Sequence, residues 1–238
     1  MNDISSRIHP GTAIPQHFRA VVFDMDGVLL DTERLWQRAE ARLCREYHVR
    51  HGPVDVAATL GLQSLEACRH YARRFNLPEA CASQLEQKLV AMMWEELGGD
   101  VAPLPGAREL VDRLLSRVAL AVASNSRRAL VERALLTAGF GGAFDVVVSA
   151  DDVGRPKPAP DIYRLVCQVL SVPPEVTLAL EDSAVGARSA IAAGLTCWAI
   201  TPARPSSGLP VAAWMPSITE LLASEDPRGS LGGSEHNG

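Results

Sequence analysis

Five short apolar runs, at residues 20–23, 119–123, 146–149, 177–180 and 196–200, carry no alternation of polar and apolar side chains. A strand with one wet face must alternate, so these runs predict strands buried on both sides. Helical stretches at residues 106–116, 128–138, 160–170 and 184–193 precede or separate the later runs, each about as long as a crossover helix. Asn125-Ser126 stand before one of them, Pro160-Asp161 open another, and Gly139 and Gly194 sit where helices hand over to loops. Repeated strand–helix units predict an α/β fold with a Rossmann-like, doubly wound parallel sheet and helices on both faces.

The segment after the first run breaks this rhythm. Residues 32–97 have helical texture and no strand pattern; Trp36, Leu43, Leu65, Tyr71, Phe75, Leu85, Leu89, Met92 and Trp94 supply apolar faces, punctuated by Pro53, Gly61, Pro78 and Gly98-Gly99. This predicts a small α-helical cap inserted at residues 32–99, between core segments 1–31 and 100–224. Residues 1–17 read as a mobile leader and residues 225–238, rich in Gly, Ser and charge, as a flexible tail. The insert starts directly after the first strand, so its junctions belong over the sheet edge where open parallel sheets bind ligands. A lid there can exclude water and select substrates.

Chemistry-bearing residues gather at the same edge. Asp24-Met25-Asp26-Gly27 ends the first strand with two acids two positions apart and a glycine that turns the chain. Such a pair suits metal-assisted phosphoryl transfer, one acid attacking phosphorus and the other handling protons, although Asp and Gly are also ordinary turn formers. Ser124-Asn125 follow the second strand, where a hydroxyl and free N–H groups can hold phosphate oxygens or simply cap a helix. Lys157 lies in the proline-rich run Gly154-Arg155-Pro156-Lys157-Pro158-Ala159-Pro160, which fixes a loop; most lysines are solvated, but one held here can neutralise a phosphoryl group and a carboxylate. Glu181-Asp182-Ser183 follow the fourth run, and adjacent carboxylates repel unless a cation compensates. Mg²⁺ is the natural ion, since it takes one or two protein carboxylates alongside substrate oxygens. An acidic helix start favoured by the macrodipole has the same sequence appearance.

Charge and cysteines narrow the function classes. With a net charge of −5, a pI of about 5.7 and no Lys/Arg run, the chain has no footprint for nucleic acid, which leaves a small molecule as the expected partner. Five scattered cysteines, none in a Cys-X-X-Cys pair, suit reduced thiols. Together with the lack of a signal-peptide core or a membrane-length apolar stretch, they predict a cytoplasmic protein, monomeric or a weak homodimer. His48, His51 and His70 lack zinc-site spacing.

The four segments, in this order, resemble the haloacid dehalogenase-like hydrolase superfamily, in its phosphatase and beta-phosphoglucomutase-like branch with a helical cap. The resemblance covers residues 21–200 and implies that Asp24 is the nucleophile that becomes an aspartyl phosphate. It implies Asp26 as general acid and then general base, and Mg²⁺ held by the Asp24 carboxylate, the Asp26 carbonyl and Asp182, with Glu181 nearby directly or through water. Ser124 and Lys157 would hold the transferred phosphoryl oxygens. Family members that cleave carbon–halogen bonds lack the second aspartate, which is present here as Asp26. The mutases carry a histidine early in the first cap helix and an arginine in a cap loop; here those places read Trp36 and Ser64.

The expectation is therefore a phosphatase acting on a sugar phosphate or phosphoglycolate, with a phosphosugar mutase as the alternative. Gln63 and Trp36 are the cap candidates for substrate contact, although Trp36 suits cap packing equally well. A phospho-accepting receiver shares the acidic cluster and lysine but has no insert after the first acidic strand. A non-catalytic phospho-binding protein would have no need of the complete reactive set.

Overall fold

The computed structural model describes residues 14–99, 101–206 and 208–223. Six parallel strands form one sheet: β1 (Ala20–Phe23), β2 (Ala119–Ala123), β3 (Val146–Val148), β4 (Thr177–Glu181), β5 (Thr196–Ile200) and β6 (Ala213–Met215), in the spatial order β3-β2-β1-β4-β5-β6. Strand order therefore runs outward in both directions from β1 and β4, and that reversal opens a crevice at their carboxyl ends.

Side-chain alternation splits the core in two. Val21, Phe23, Leu120, Val122, Leu178, Leu180, Trp198 and Ile200 face one layer, with α5 (Ala107–Leu114), α6 (Arg128–Thr137) and α9 (Ile218–Ala223). Val22, Ala121, Ala123, Ala179 and Cys197 face the other, against α7 (Asp161–Leu170) and α8 (Ala184–Ala192). The second face is rich in alanine, so its helices lie close to the sheet, and each fully buried Leu or Val of the first face contributes about 1.5–3 kcal/mol.

The remaining helices are α1 (Glu33–Glu46), α2 (Pro53–Thr59), α3 (Ser64–Arg74) and α4 (Ala82–Glu96), which form the inserted helical cap. Leu35, Ala39 and Leu43 of α1 meet Leu85, Leu89 and Met93 of α4, and Cys68 and Tyr71 of α3 close the same apolar seam. Asp55 of α2 is buried beneath His70 and Arg74, at 3.0 and 2.9 Å. Burial pushes its carboxyl up, but hydrogen bonds from Arg74, His70 and the Gly52 N–H outweigh this and bring it down to about 2.

Some expectations shift by a residue or more. β4 extends to include Glu181, β3 stops at Val148, and Ser149 instead caps a short 3-10 turn by accepting the Asp151 N–H. α5 ends at Leu114, two residues early. β6 was not anticipated, because three residues are too few to show a period. The expected leader is anchored at its end: Ile14 is buried, and Phe18, just beyond it, packs edge-on against Trp198. Residues 1–13 and the expected tail 225–238 lie outside the described residues. Trp94, expected on an apolar cap face, is exposed instead beneath the Arg133 guanidinium at 4.2 Å. No helix of the described residues is long and apolar enough to cross a membrane.

Candidate active site

Strand register fixes the first half of the site. Phe23 pairs with both Val122 and Leu180, which brings Asp24 level with Ala123 and Glu181. Its N–H donates to the Leu180 carbonyl at 2.9 Å, extending the ladder by one rung. Level residues of a parallel sheet share a face, so Asp24 and Glu181 both point toward α7. The loop before that helix supplies Lys157, and the helix itself supplies Tyr163.

Lys157 binds these pieces together. Its ammonium, with a side chain only 2% exposed, donates to Asp24 Oδ1 at 2.6 Å, Glu181 Oε1 at 2.6 Å and the Ala123 carbonyl at 2.8 Å. Tyr163 donates its hydroxyl to the same Glu181 oxygen. Burial alone would discharge the lysine, but Asp24 and Glu181 outweigh it and raise its pKa. For Asp24 burial dominates: its carboxyl is pushed well up despite the pull of Lys157, with Glu181, Asp182 and Asp26 adding to the rise. Asp182 is raised to about 8, by burial first and then by Glu181.

Asp24, Glu181 and Asp182 each bring a carboxylate oxygen within 4.8 Å of the others. Hard oxygen donors with more negative charge than Lys157 can offset are a fit for a small divalent cation. Glu181 spends Oε1 on Lys157 and Tyr163, while no described residue donates to the Asp182 carboxylate or to Asp24 Oδ2. Gly27 makes room for this arrangement. Its φ is +80°, and a Cβ there would lie 2.1 Å from Asp182 Oδ2. Gly27→Ala is expected to destabilise the fold by about 1–3 kcal/mol through backbone strain and to displace Asp182. Thermal unfolding checks the first effect, and a weakened response to added Mg²⁺ the second.

Asp26 is oriented separately. Oδ1 accepts from Thr32 Oγ1 and, at 3.4 Å, from Trp36 Nε1; Oδ2 accepts from Ser126 Oγ at 3.0 Å and Ser124 Oγ at 3.4 Å. Donors from the cap entrance and from the β2–α6 loop thus converge on one carboxylate. Trp36 reaches the site while packing against the apolar seam.

Ser124 and Asn125 are both buried at the carboxyl end of β2. Ser124 is fully buried, and its hydroxyl also accepts the Ser126 N–H at 3.1 Å; Ser126, two residues on, lines the cleft. Asn125 also lines it, yet its amide is occupied: Oδ1 accepts the Lys157 N–H at 2.8 Å, and Nδ2 donates to the carbonyls of Lys157 and Gly61, both at 3.1 Å. Asn125 thus clamps the lysine loop from the core and touches the cap at Gly61. Gln63 is the N-terminal cap position of α3, and its neighbours Leu62 and Ser64 line the cleft while it does not.

Asp24, Asp26, Lys157 and Asp182 line a cleft that opens between the sheet edge and the cap. Its cap-side wall carries Glu33, Trp36, Glu40, Thr59 and Leu60, none of which except Trp36 was singled out from sequence. Glu40 is raised to about 7 by burial and sits 3.2 Å from His51 Nε2. Ser183, which caps α8 by accepting the Gly186 N–H at 3.0 Å, also lines the opening. The Ser-Asn-Ser triplet after β2 was the one local signal pointing to Ser126.

A parallel sheet with paired aspartates after β1, a buried lysine and an acidic pair after β4 defines a class of phosphoryl-handling α/β hydrolases with inserted caps. The family model for haloacid dehalogenase-like hydrolases matches residues 18–194, and the chain belongs to that family. Validoxylamine A 7'-phosphate phosphatase of Streptomyces hygroscopicus subsp. limoneus is 31% identical over 196 residues, covering 81% of this chain and 90% of the relative. Fructose-1-phosphate phosphatase YqaB of Escherichia coli (strain K12) is 31% identical over 189 residues, covering 76% and 95%. Among solved structures, a mutant of CbbY from Rhodobacter sphaeroides in complex with xylulose-(1,5)bisphosphate superposes with a TM-score of 0.72 at 32% identity, covering 88% of this chain and 99% of that chain.

Proposed function

We propose that this protein is a Mg²⁺-dependent phosphatase that hydrolyses a small phosphorylated metabolite, of the sugar phosphate or phosphoglycolate type, through an aspartyl phosphate on Asp24. The observation that carries this reading is the state of Asp24: Lys157 holds one oxygen, while the other takes no hydrogen bond from the described residues, beside an independently oriented Asp26. Phosphatase activity in the relatives named above supports it.

In the first half-reaction Asp24 Oδ2 attacks phosphorus and the ester P–O bond breaks, with Asp26 delivering the proton to the leaving oxygen. In the second, Asp26 takes a proton from water as that water attacks phosphorus, which releases phosphate and restores Asp24. Lys157 offsets charge on the nucleophile and on the phosphoryl oxygens. Asp24 and Asp182, with Glu181 behind them, would hold the ion; bound there, it lowers the repulsion between carboxylates and a dianionic ester. Ser124 and Ser126 position Asp26, and their loop presents N–H groups at the start of α6.

Trp36 and Ser64 stand where a mutase would grip its second phosphate, and Ser64 donates its hydroxyl to Glu86 at 2.6 Å. Hydrolysis is therefore favoured over phosphate relocation. All five cysteines are free, which fits the reducing, cytoplasmic setting included in this proposal; the proposal also includes a monomer or weak homodimer.

A panel of phosphorylated sugars and phosphoglycolate, assayed for phosphate with and without Mg²⁺, tests the reading. Chelation is expected to cut turnover by about 100-fold or more, and Mg²⁺ to restore it. The ion is also expected to raise the unfolding temperature, since it binds only the folded carboxylates. Conversion of glucose 1-phosphate into glucose 6-phosphate without net phosphate release would instead identify a mutase.

A further inference from the structure

Among the described residues, the charged side chains lining the cleft are Asp24, Asp26, Glu33, Glu40 and Asp182 against Lys157 alone. Lys157 has all three ammonium hydrogens committed, to Asp24, Glu181 and the Ala123 carbonyl. The leaving-group half of the cleft, beneath α1 and α2, therefore presents carboxylates and no cation.

A second observation explains how this is maintained. Arg127 follows the cleft-lining Ser126, yet is turned into a separate network: Nε donates to Glu86 Oε1 and Nη2 to Glu86 Oε2, both at 3.1 Å, and Nη1 to Asp151 Oδ1 at 2.6 Å. Glu86 lies on the inner face of α4 and is almost fully buried. The oxygen that takes Arg127 Nε also takes the hydroxyl of Ser64, which lines the cleft. The guanidinium is thus two hydrogen bonds from the cleft wall and absent from it.

We propose that Glu86 is a specificity-determining residue: by sequestering Arg127 it keeps the leaving-group side of the cleft free of positive charge, so that, of the two substrate types named above, the site selects sugar monophosphates, esters of uncharged, hydroxyl-bearing alcohols, and rejects phosphoglycolate and other esters with a second anionic group. This rests on the phosphatase reading above. Substrate hydroxyls donate to Glu33 and Glu40, and Trp36 and Leu60 offer apolar surface to ring C–H groups. A second phosphate or a carboxylate placed there meets like charge in a poorly solvated wall and finds no partner.

Fructose 1-phosphate and fructose 1,6-bisphosphate form a suitable pair, differing only in the second anion. With Mg²⁺, kcat/KM is expected to favour the monophosphate by about 100-fold, and Glu86→Gln, which preserves shape and an acceptor for Ser64, to shrink that preference about tenfold. Combining Glu86→Gln with Arg127→Gln should restore it, since the freed cation is then gone. A bridge that merely held the cap would, when broken, slow both substrates alike and leave the ratio unchanged. Glu33→Gln, in the half-buried first turn of α1, provides a second route and should move the ratio in the same direction.

The same ratios measured as Kd by calorimetry in the Asp24→Asn background need no turnover. Absence of phosphate release from both esters would refute the phosphatase reading alone, while the Kd ratio still decides the present one. Wild-type preference below about threefold, or a ratio unmoved by Glu86→Gln, would overturn the proposal.

Discussion

Asp24→Asn is expected to lower kcat for phosphate release by about 10,000-fold or more, because the amide cannot form the proposed acyl phosphate. The fold should tolerate the change. Burial already disfavours the Asp24 carboxylate, so removing its charge relieves a desolvation cost, and Lys157 keeps Glu181 and the Ala123 carbonyl as partners. An unfolding temperature close to that of the wild type, together with lost turnover on a sugar monophosphate at saturating Mg²⁺, is the expected combination. Full activity in the Asn variant would exclude attack by Asp24 and leave direct attack by water.

Lys157→Met should act on stability as strongly as on rate. Methionine matches the length of the lysine but leaves Asp24 and Glu181 facing each other in a dry setting with no cation between them. Breaking a buried ion pair by removing one partner costs about 3–5 kcal/mol, which a urea titration would read as a large fall in the unfolding midpoint. Turnover should fall by about 1,000-fold, since the charge that offsets the phosphoryl oxygens goes with it. Added Mg²⁺ should recover part of the stability and little of the rate. A stability loss below about 1 kcal/mol would mean that protons on the carboxylates, rather than the lysine, already carry the compensation.

How much of this was legible beforehand depends on how local each signal is. β1, β2, β4 and β5 are buried on both faces, so their apolar runs stand out, and β6 at the edge is too short to do so. The cap was visible as helical texture between two strands. Asp24, Asp26, Lys157, Glu181 and Asp182 were visible because each sits at a strand end or in a stiff loop, and the structure brings four of them to one crevice with Glu181 buried behind Lys157.

What stayed hidden are pairings that depend on folding. Ser126 reaches Asp26 across 100 positions of sequence, Arg127 reaches Glu86 across 41, and nothing in the spacing of either pair announces it. Asn125 read equally well as a phosphate ligand or a helix cap, and only its three hydrogen bonds show that it clamps a loop. Glu33 and Glu40 look like ordinary polar positions of an amphipathic helix until α1 is seen to lie over the opening.

The bonds of Asn125 are divided unequally between the two halves of the molecule. Two of them close on the backbone of Lys157 and a single one reaches the carbonyl of Gly61. Were the upper helices to swing away, one bond would part and two would persist. The ammonium would then keep its place at every stage of a catalytic cycle, so its electrostatic field is preset when a new ester arrives, and opening the entrance exacts no rebuilding of the charged floor.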